Sequence, residues 1–226
     1  PWVADLGAKI VSTLLALDRL DDAREVSDQL RAIYPNHPQA LLQAVAVTCR
    51  TVESLDEQWA AVSAASLYAQ AREDLNRILN GETETGGSAV DSRVWDLYPL
   101  RYLGELALME GRVSEAVGLF ERALSLDPEY SFGWMGMAEC SRFAGDSKRA
   151  LKLYLRTVTE NADNHRAWIR GGDLMREMGF RDNADSWWRK VVENFPEHPL
   201  VAPSLKMPDT DASESQAGRP RPCATV

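Results

Sequence analysis

The sequence has few cysteines, no excess of basic residues and no long apolar run. Its three cysteines, Cys49, Cys140 and Cys223, are odd in number and follow no metal-ligand spacing, so we expect neither a disulfide framework nor a cysteine metal site. The formal net charge of −9 disfavours general affinity for nucleic acid or anionic lipid, since both require a basic surface. No apolar run approaches the ~20 residues that span a bilayer. We therefore expect no nucleic-acid partner and no membrane insertion.

Motifs of catalysis and cofactor binding are also missing from the sequence. It contains no glycine-rich phosphate loop, no HExxH and no CxxC, which are the common short signatures of nucleotide, zinc and redox sites. Three histidines, His37, His165 and His198, lie in predicted turns without an adjacent nucleophile or paired carboxylate, and we interpret them as surface residues. The prediction is a segment that is not an enzyme and holds no cofactor or metal.

The first residues bear on processing and location. The chain begins Pro1-Trp2 without an initiator methionine, which predicts a processed or excised piece of a longer polypeptide. It shows no secretory signal, and its cysteine usage fits a reducing compartment. A cytoplasmic location is the resulting expectation.

Between Leu97 and His198, side chains of the same kind recur every 34 residues. Three columns hold small residues and one holds an aromatic residue: Ala116, Ala150 and Ala184; Gly104, Ala138 and Gly172; Gly111, Gly145 and Gly179; and Phe120, Tyr154 and Trp188. A period of 34 is typical of stacked helix–turn–helix repeats. It predicts an all-α fold, a solenoid of antiparallel helix pairs.

The predicted organisation has four segments. Residues 1–80 form divergent helix pairs, with Ala23 and Pro35 spaced as Ala116 and Pro128 are later. Residues 81–96 are an acidic flexible loop and lead-in, and residues 97–198 are the three regular units. Residues 199–226 are proline-rich, and because proline interrupts helices we expect a largely disordered tail.

Helix packing explains the columns. Two antiparallel helices approach closely only where small side chains face each other, and a large aromatic residue fills the remaining space. In the third unit, Gly171 and Gly172 weaken the helix but leave room for Trp187 and Trp188 opposite. The three glycines of the 111, 145 and 179 column are expected to have positive φ in the turn within each helix pair.

These columns resemble the tetratricopeptide repeat, whose pattern is large at repeat position 4, small at 8, Ala at 20, aromatic at 24 and Pro at 32. Trp134 and Trp168 match position 4, and Pro128 and Pro196 match position 32. The middle unit departs from the pattern with Ala162 at position 32. The resemblance implies a right-handed superhelix in which the first helix of each pair lines a concave groove.

The resemblance also implies that repeat positions 2, 5, 9 and 12 face this groove. The candidate binding residues at these positions are Tyr98, Arg101, Glu105, Phe132, Met135, Glu139, Arg142, Ile169, Asp173 and Arg176, with Arg166 and Leu108 in the same columns. Position 9 is acidic in all three units. Either this acidic row meets a basic residue of a partner, or each acid pairs with a basic residue on its own helix, as the i,i+3 and i,i+4 spacings allow.

One subtype of the family grips a C-terminal carboxylate with lysine and asparagine. Glu105 and Gly136 replace its two asparagine positions here, and Glu105 would repel a carboxylate, so this clamp is not expected. The leading hypothesis is a non-catalytic scaffold that binds a peptide or helix with apolar anchors and a basic residue. Two alternatives remain open: a substrate-recruiting or structural repeat region of a larger enzyme, such as a bacterial glycosyltransferase, or a repeat protein that forms homo-oligomers through an uncovered solenoid end.

Overall fold

The computed structural model describes residues 2–54, 57–84 and 92–196. In these ranges the chain forms ten α-helices and no strand: α1 (Trp2–Ala16), α2 (Leu20–Ile33), α3 (Pro38–Ser54), α4 (Glu57–Leu79), α5 (Ser92–Met109), α6 (Val113–Leu126), α7 (Ser131–Phe143), α8 (Ser147–Glu160), α9 (His165–Glu177) and α10 (Arg181–Asn194). Residues 85–91 of the expected acidic loop and residues 197–226, which include His198 and the expected tail, lie outside the described residues.

Consecutive helices pack against each other along the whole series, and the odd-numbered helices form a second set of contacts. α1 contacts α3, α3 contacts α5, and α5 contacts α7. The first helices of the first four pairs therefore lie side by side along one wall, as in a solenoid of stacked antiparallel pairs. The prediction of an all-α solenoid is confirmed.

Small residues allow close helix contact at the predicted columns. Ala116, Ala150 and Ala184 are fully buried. A Cβ atom added to Gly104 would lie 2.6 Å from the Phe120 ring, and one added to Gly172 would lie 2.8 Å from Nε1 of Trp188. The interpretation of the aromatic column as core filling is confirmed for these pairs.

The turns inside the helix pairs have the predicted backbone. Gly111, Gly145 and Gly179 have φ of +73°, +79° and +83°, and Gly81, after α4, has φ of +70°. Residues with a Cβ atom rarely adopt this region. Glycine at these positions therefore lets each chain reversal occur without strain.

The middle unit keeps its geometry without the proline of position 32. The indole Nε1 of Trp134 donates a hydrogen bond of 2.8 Å to the carbonyl of Pro128, and Nε1 of Trp168 donates one of the same length to the carbonyl of Ala162. Because the acceptor is a backbone carbonyl, both proline and alanine at position 32 can accept this hydrogen bond. This explains why alanine is tolerated at position 32.

Two predictions about local structure differ from the structure. Helix α5 begins at Ser92, before the expected start of the first regular unit at Leu97. His37, expected at the surface of its turn, is buried, and neither ring nitrogen has a hydrogen-bond partner among the described residues. The α2–α3 turn packs His37 against the edge of Tyr34, with ring centroids 6.2 Å apart. His165 is exposed, as expected.

Candidate functional site

A groove of about 460 Å³ follows the wall of first helices from α1 to α7. Four helices contribute to it, so its floor exists only when the array is stacked. The side chains that line it are Ser12 and Leu15 from α1; Gln39, Leu42, Gln43 and Ala46 from α3; Trp95, Tyr98, Arg101 and Tyr102 from α5; and Phe132 from α7. The groove combines aromatic rings with neutral amide and hydroxyl groups.

Arg101 joins the aromatic residues of the groove. Its guanidinium carbon lies 3.9 Å from the ring centroid of Phe132 and 4.9 Å from that of Tyr102. Its Nε donates a hydrogen bond of 3.0 Å to Oε1 of Glu105 on the next turn of α5. Stacking and ion pairing hold the guanidinium in one position, and cation–π contacts of this kind strengthen with burial. The predicted groove residues Arg101, Glu105 and Phe132 are therefore one connected cluster.

Glu105 and Glu139, two of the three acidic residues at position 9, form ion pairs within the protein. Glu105 interacts with Arg101 and also with Arg166, 3.9 Å away. Burial alone would raise the pKa of Glu105, but the two arginines lower it below its usual value. The carboxylate is thus ionised and already paired in the free protein. This arrangement favours the interpretation that these acids serve internal ion pairs.

Glu139 is also paired within the protein, with a tyrosine in addition to two arginines. It accepts a hydrogen bond of 2.7 Å from the phenol of Tyr154, lies 3.3 Å from Nε of Arg142 and lies 3.7 Å from Nε of Arg170. Burial, followed by the charge of Glu139, raises the pKa of the Tyr154 phenol, so Tyr154 is the hydrogen-bond donor. Through Glu139, the aromatic column of the core is tied to the groove face of α7.

Met135 and Ile169 do not line the groove as exposed anchors. Their relative exposures are 4% and 8%, and both belong to the core cluster around Tyr154 and Trp168. At repeat position 5 of α7 and α9 the inter-helix contact covers the side chain, whereas at the same position of α5 Arg101 reaches the groove. Met135 and Ile169 are therefore core residues of the last two units.

The remaining predicted residues surround a second, smaller cavity. This cavity of about 330 Å³ lies between α7 and α9 and is lined by Arg142, Arg170, Asp173, Leu174, Arg176 and Glu177. Burial raises the pKa of Asp173 despite the nearby Arg170 and Arg176. The structure thus divides the ten predicted residues into three sets. Four belong to the aromatic groove cluster near α5, four form a charged group on α7 and α9, and two are core residues: Tyr98, Arg101, Glu105 and Phe132; Glu139, Arg142, Asp173 and Arg176; and Met135 and Ile169.

Five residues of the groove follow the predicted columns but were not among the predicted residues. Counting repeat positions from Ala4 places Ser12 and Leu15 at positions 9 and 12. Counting from Pro38 places Gln39, Leu42 and Ala46 at positions 2, 5 and 9, and all five line the groove. Reading the groove columns into the two divergent units would have found them. Trp95 lies before the first position of its unit, so no column contains it.

Other kinds of site find no support in the described part of the chain. Among those residues, no group of three or more histidine, cysteine, aspartate or glutamate side chains is placed to hold a metal ion. The described helices also include none that combines the length and apolar character needed to cross a membrane.

Comparison with known proteins identifies the repeat. Residues 107–170 match the family model of the tetratricopeptide repeat. No curated protein matches the chain in sequence. Among solved structures, TTC0263, a thermophilic tetratricopeptide-repeat protein of Thermus thermophilus, superposes with a TM-score of 0.68 at 16% identity, over 89% of this chain and 96% of that chain.

Two further structures are more distant in shape. MamA has a TM-score of 0.46 at 18% identity and covers 82% of this chain and 94% of its own. YrrB, described as a tetratricopeptide-repeat protein with an unusual peptide-binding site, has a TM-score of 0.46 at 14% identity and covers 89% and 91%. Residues 107–170 therefore match the tetratricopeptide repeat, and the superposition with TTC0263 shows that the chain has the same fold of stacked helix pairs.

Proposed function

We propose that this protein is a non-catalytic scaffold that binds a peptide segment of another protein in the groove between α1 and α7. The observation that carries the proposal is the groove itself, which presents Trp95, Tyr98, Tyr102 and Phe132 in one concavity. Aromatic side chains of this kind are enriched at the centre of protein interfaces because they bury large area with few rotatable bonds.

The polar side chains of the groove suit an extended peptide. Gln39 and Gln43 lie one helical turn apart on α3 and line the groove, and Oε1 of Gln43 accepts a hydrogen bond of 3.3 Å from Ser12. An amide side chain both donates and accepts, so these residues can pair with the N–H and C=O groups of a peptide backbone. The aromatic residues then select its side chains.

The expected partner differs from the sequence-based hypothesis in its charge. That hypothesis gave the peptide a basic residue to meet the acidic row, but Glu105 and Glu139 are paired with arginines of this chain. An additional cation would have to displace an existing partner. We therefore expect a peptide with an aromatic or aliphatic anchor, and the contribution of a basic residue to be small.

Binding to peptides selected from a displayed random library tests this proposal. The full chain is the bait, and the affinity of selected synthetic peptides is measured by fluorescence anisotropy. Phe132→Ala is expected to weaken binding at least about tenfold, since truncating a central aromatic residue typically costs ~2 kcal/mol. Phe143→Ala is the matched control, because Phe143 is on the same helix but is 56% exposed and outside the groove.

A double substitution of Phe132 and Met135, which the groove columns suggest, is unsuitable for this test. Met135 is in the core, and shortening it would cost ~2–5 kcal/mol of folding stability. Tyr98→Ala is the better second variant, because Tyr98 lines the groove and is exposed. If selected peptides bound the Phe132→Ala and Tyr98→Ala variants as tightly as the wild type, the groove would not be the binding site.

A further inference from the structure

The groove between α1 and α7 offers more hydrogen-bond donors than acceptors. Arg101 uses only its Nε atom, which donates to Glu105, and its two Nη atoms have no acceptor among the described residues. The indole N–H of Trp95, which also lines the groove, has none there either. Gln43 adds to this excess, because its Oε1 already accepts from Ser12 and its Nε2 remains a donor. None of the described side chains that line the groove is a carboxylate, the group that only accepts.

A ligand that complements this groove brings acceptors without an equal number of N–H groups. Most residues bring one backbone N–H and one C=O, but proline brings only the C=O. A proline-rich segment therefore has an excess of acceptors where the groove has an excess of donors. Its carbonyls are neutral, so they can accept from Arg101 without displacing Glu105 from the existing ion pair.

The side-by-side packing of the first helices sets the spacing at which a ligand meets them. Neighbouring packed helices lie ~8–10 Å apart, so a segment that crosses α1, α3, α5 and α7 meets one helix in each such interval. In a polyproline II helix, every third residue returns to the same face after about 9 Å. In a β-strand the same face recurs after about 7 Å, which falls out of step with the helices.

Each of these four helices presents an apolar side chain to the groove. Leu15 lies on α1, Leu42 on α3, Tyr98 on α5 and Phe132 on α7. One such contact on each helix matches one inward-facing residue in each turn of a polyproline II helix. An α-helical ligand would not match the donors, because its carbonyls are already used in its own hydrogen bonds.

We propose that the groove binds a proline-rich segment of another protein in the polyproline II conformation. An apolar residue at every third position packs on successive first helices, and the carbonyls between these residues accept hydrogen bonds from Trp95, Arg101 and Gln43. Because this conformation is well populated before binding, little ordering entropy is lost on association. This selectivity rests on the proposed function of the groove as a peptide-binding site and adds the class of peptide that it takes.

Fluorescence anisotropy with the full chain and two labelled peptides tests the class of ligand. One peptide consists of four Pro-Pro-Leu triplets and the other of four Ser-Ser-Leu triplets. The serine peptide keeps leucine at every third position but restores the missing N–H groups and a flexible backbone. The proline peptide is expected to bind with a dissociation constant at least about tenfold lower. Phe132→Ala is expected to weaken binding of the proline peptide by at least about tenfold, which assigns the contact to the groove.

Substitutions that remove a donor but keep the shape of the side chain test the hydrogen bonds. Gln43→Met is expected to weaken binding of the proline peptide by about threefold to tenfold, because one hydrogen bond to its carbonyls is lost. Gln29→Met is the matched control: it makes the same change on α2, outside the groove, and should bind as the wild type does. Trp95→Phe, which keeps an aromatic ring without the N–H, is expected to weaken binding by at least as much as Gln43→Met. Circular dichroism of each variant separates these effects from loss of fold.

Equal affinity for the two peptides would overturn the preference for proline. Binding of the proline peptide that Phe132→Ala leaves unchanged would place the contact elsewhere, and binding that both Gln43→Met and Trp95→Phe leave unchanged would mean that the groove donors take no part. An affinity that rises at least about tenfold when residues 199–226 are deleted would make the proline-rich segment of this chain itself the occupant.

The displayed library tests the proposed function separately from the class of peptide. Groove-binding peptides selected without proline would leave the proposed function standing and contradict the preference for proline. Failure to select any peptide that binds the groove would contradict both.

Discussion

Tyr154 is the residue at which the core and the groove face are most closely linked. It is fully buried, and its phenol donates to Glu139, which two arginines also contact. Replacing it by phenylalanine would keep the packing but leave one oxygen of a partly buried carboxylate without its donor. Hydrogen bonds to charged groups contribute ~1.5–3 kcal/mol. The repeat pattern requires only an aromatic residue at this position, so it does not predict the Tyr154–Glu139 hydrogen bond.

Tyr154→Phe is expected to lower the free energy of unfolding by ~1.5–3 kcal/mol in urea titrations. Tyr130→Phe is the control. Its phenol is buried without a hydrogen-bond partner among the described residues, so removing that hydroxyl should be neutral or stabilising. Equal losses from the two substitutions would mean that the Tyr154–Glu139 hydrogen bond contributes nothing specific.

His37 makes stability depend on pH. Burial is the main cause that lowers the pKa of this imidazole below its usual value, partly opposed by Asp5. A group with a lowered pKa in the folded state stabilises the protein above the unfolded pKa of about 6.5, and this contribution is lost as the pH falls towards the folded pKa. The loss from one such group cannot exceed about 1.4 kcal/mol per pH unit.

Urea titrations at pH 7.5 and pH 5 test this dependence. The His37→Leu variant is expected to lose less stability over that interval than the wild type, because it has no buried group to protonate. His165→Gln, at an exposed histidine, should keep the wild-type dependence. A His37→Leu variant with an unchanged pH dependence would show that other groups are responsible.

At the scale of the helices, sequence spacing predicts much of the structure. The period of 34 predicts stacked helix pairs, and the helices from α5 to α10 form such pairs, because the contacts that define a pair recur at fixed positions. The period does not predict the buried Met135 and Ile169, because exposure at position 5 depends on the neighbouring helix. Read within each divergent unit, the same columns include five groove residues of α1 and α3. A continuous count of 34 from the regular units does not reach them, because the long helix α4 breaks the phase.

Glycine inside a helix shows how packing overrides local preference. Gly136 of α7 faces Phe120, and an added Cβ atom would lie 2.2 Å from that buried ring. Gly118 of α6 has nothing within 4 Å of the same position. Gly136→Ala is expected to destabilise the protein by ~1–3 kcal/mol through overpacking, whereas Gly118→Ala should stabilise it by up to ~1 kcal/mol through helix propensity. Thermal unfolding followed by circular dichroism measures both changes, and a stabilised Gly136→Ala variant would mean that α6 and α7 can separate without cost.

In the whole molecule, the stacked arrangement determines how far the destabilising effect of one substitution extends along the chain. In a solenoid each unit contacts only its neighbours, so stability is a sum of unit and interface contributions. Leu106 and Leu174 hold the same repeat position and are both buried. Leu106 belongs to the core cluster that joins α3, α4 and α5, while Leu174 belongs to the cluster of the last two units.

Leu106→Ala and Leu174→Ala should each lower the local free energy of unfolding by ~2–5 kcal/mol. The helices that this loss reaches should differ between the two variants. Hydrogen exchange measured by mass spectrometry is expected to show faster exchange in α8–α10 for Leu174→Ala, with α1–α4 unchanged. For Leu106→Ala, exchange should rise on both sides of α5, because the interface that couples the N-terminal pairs to the regular units is weakened. The two substitutions have the same chemistry, repeat position and burial. A difference in hydrogen exchange between the two variants is therefore caused by their different positions in the array. Uniform acceleration by Leu174→Ala would instead show that the chain unfolds as a single cooperative unit, and the groove between α1 and α7 would then depend on the last unit as much as on its own helices.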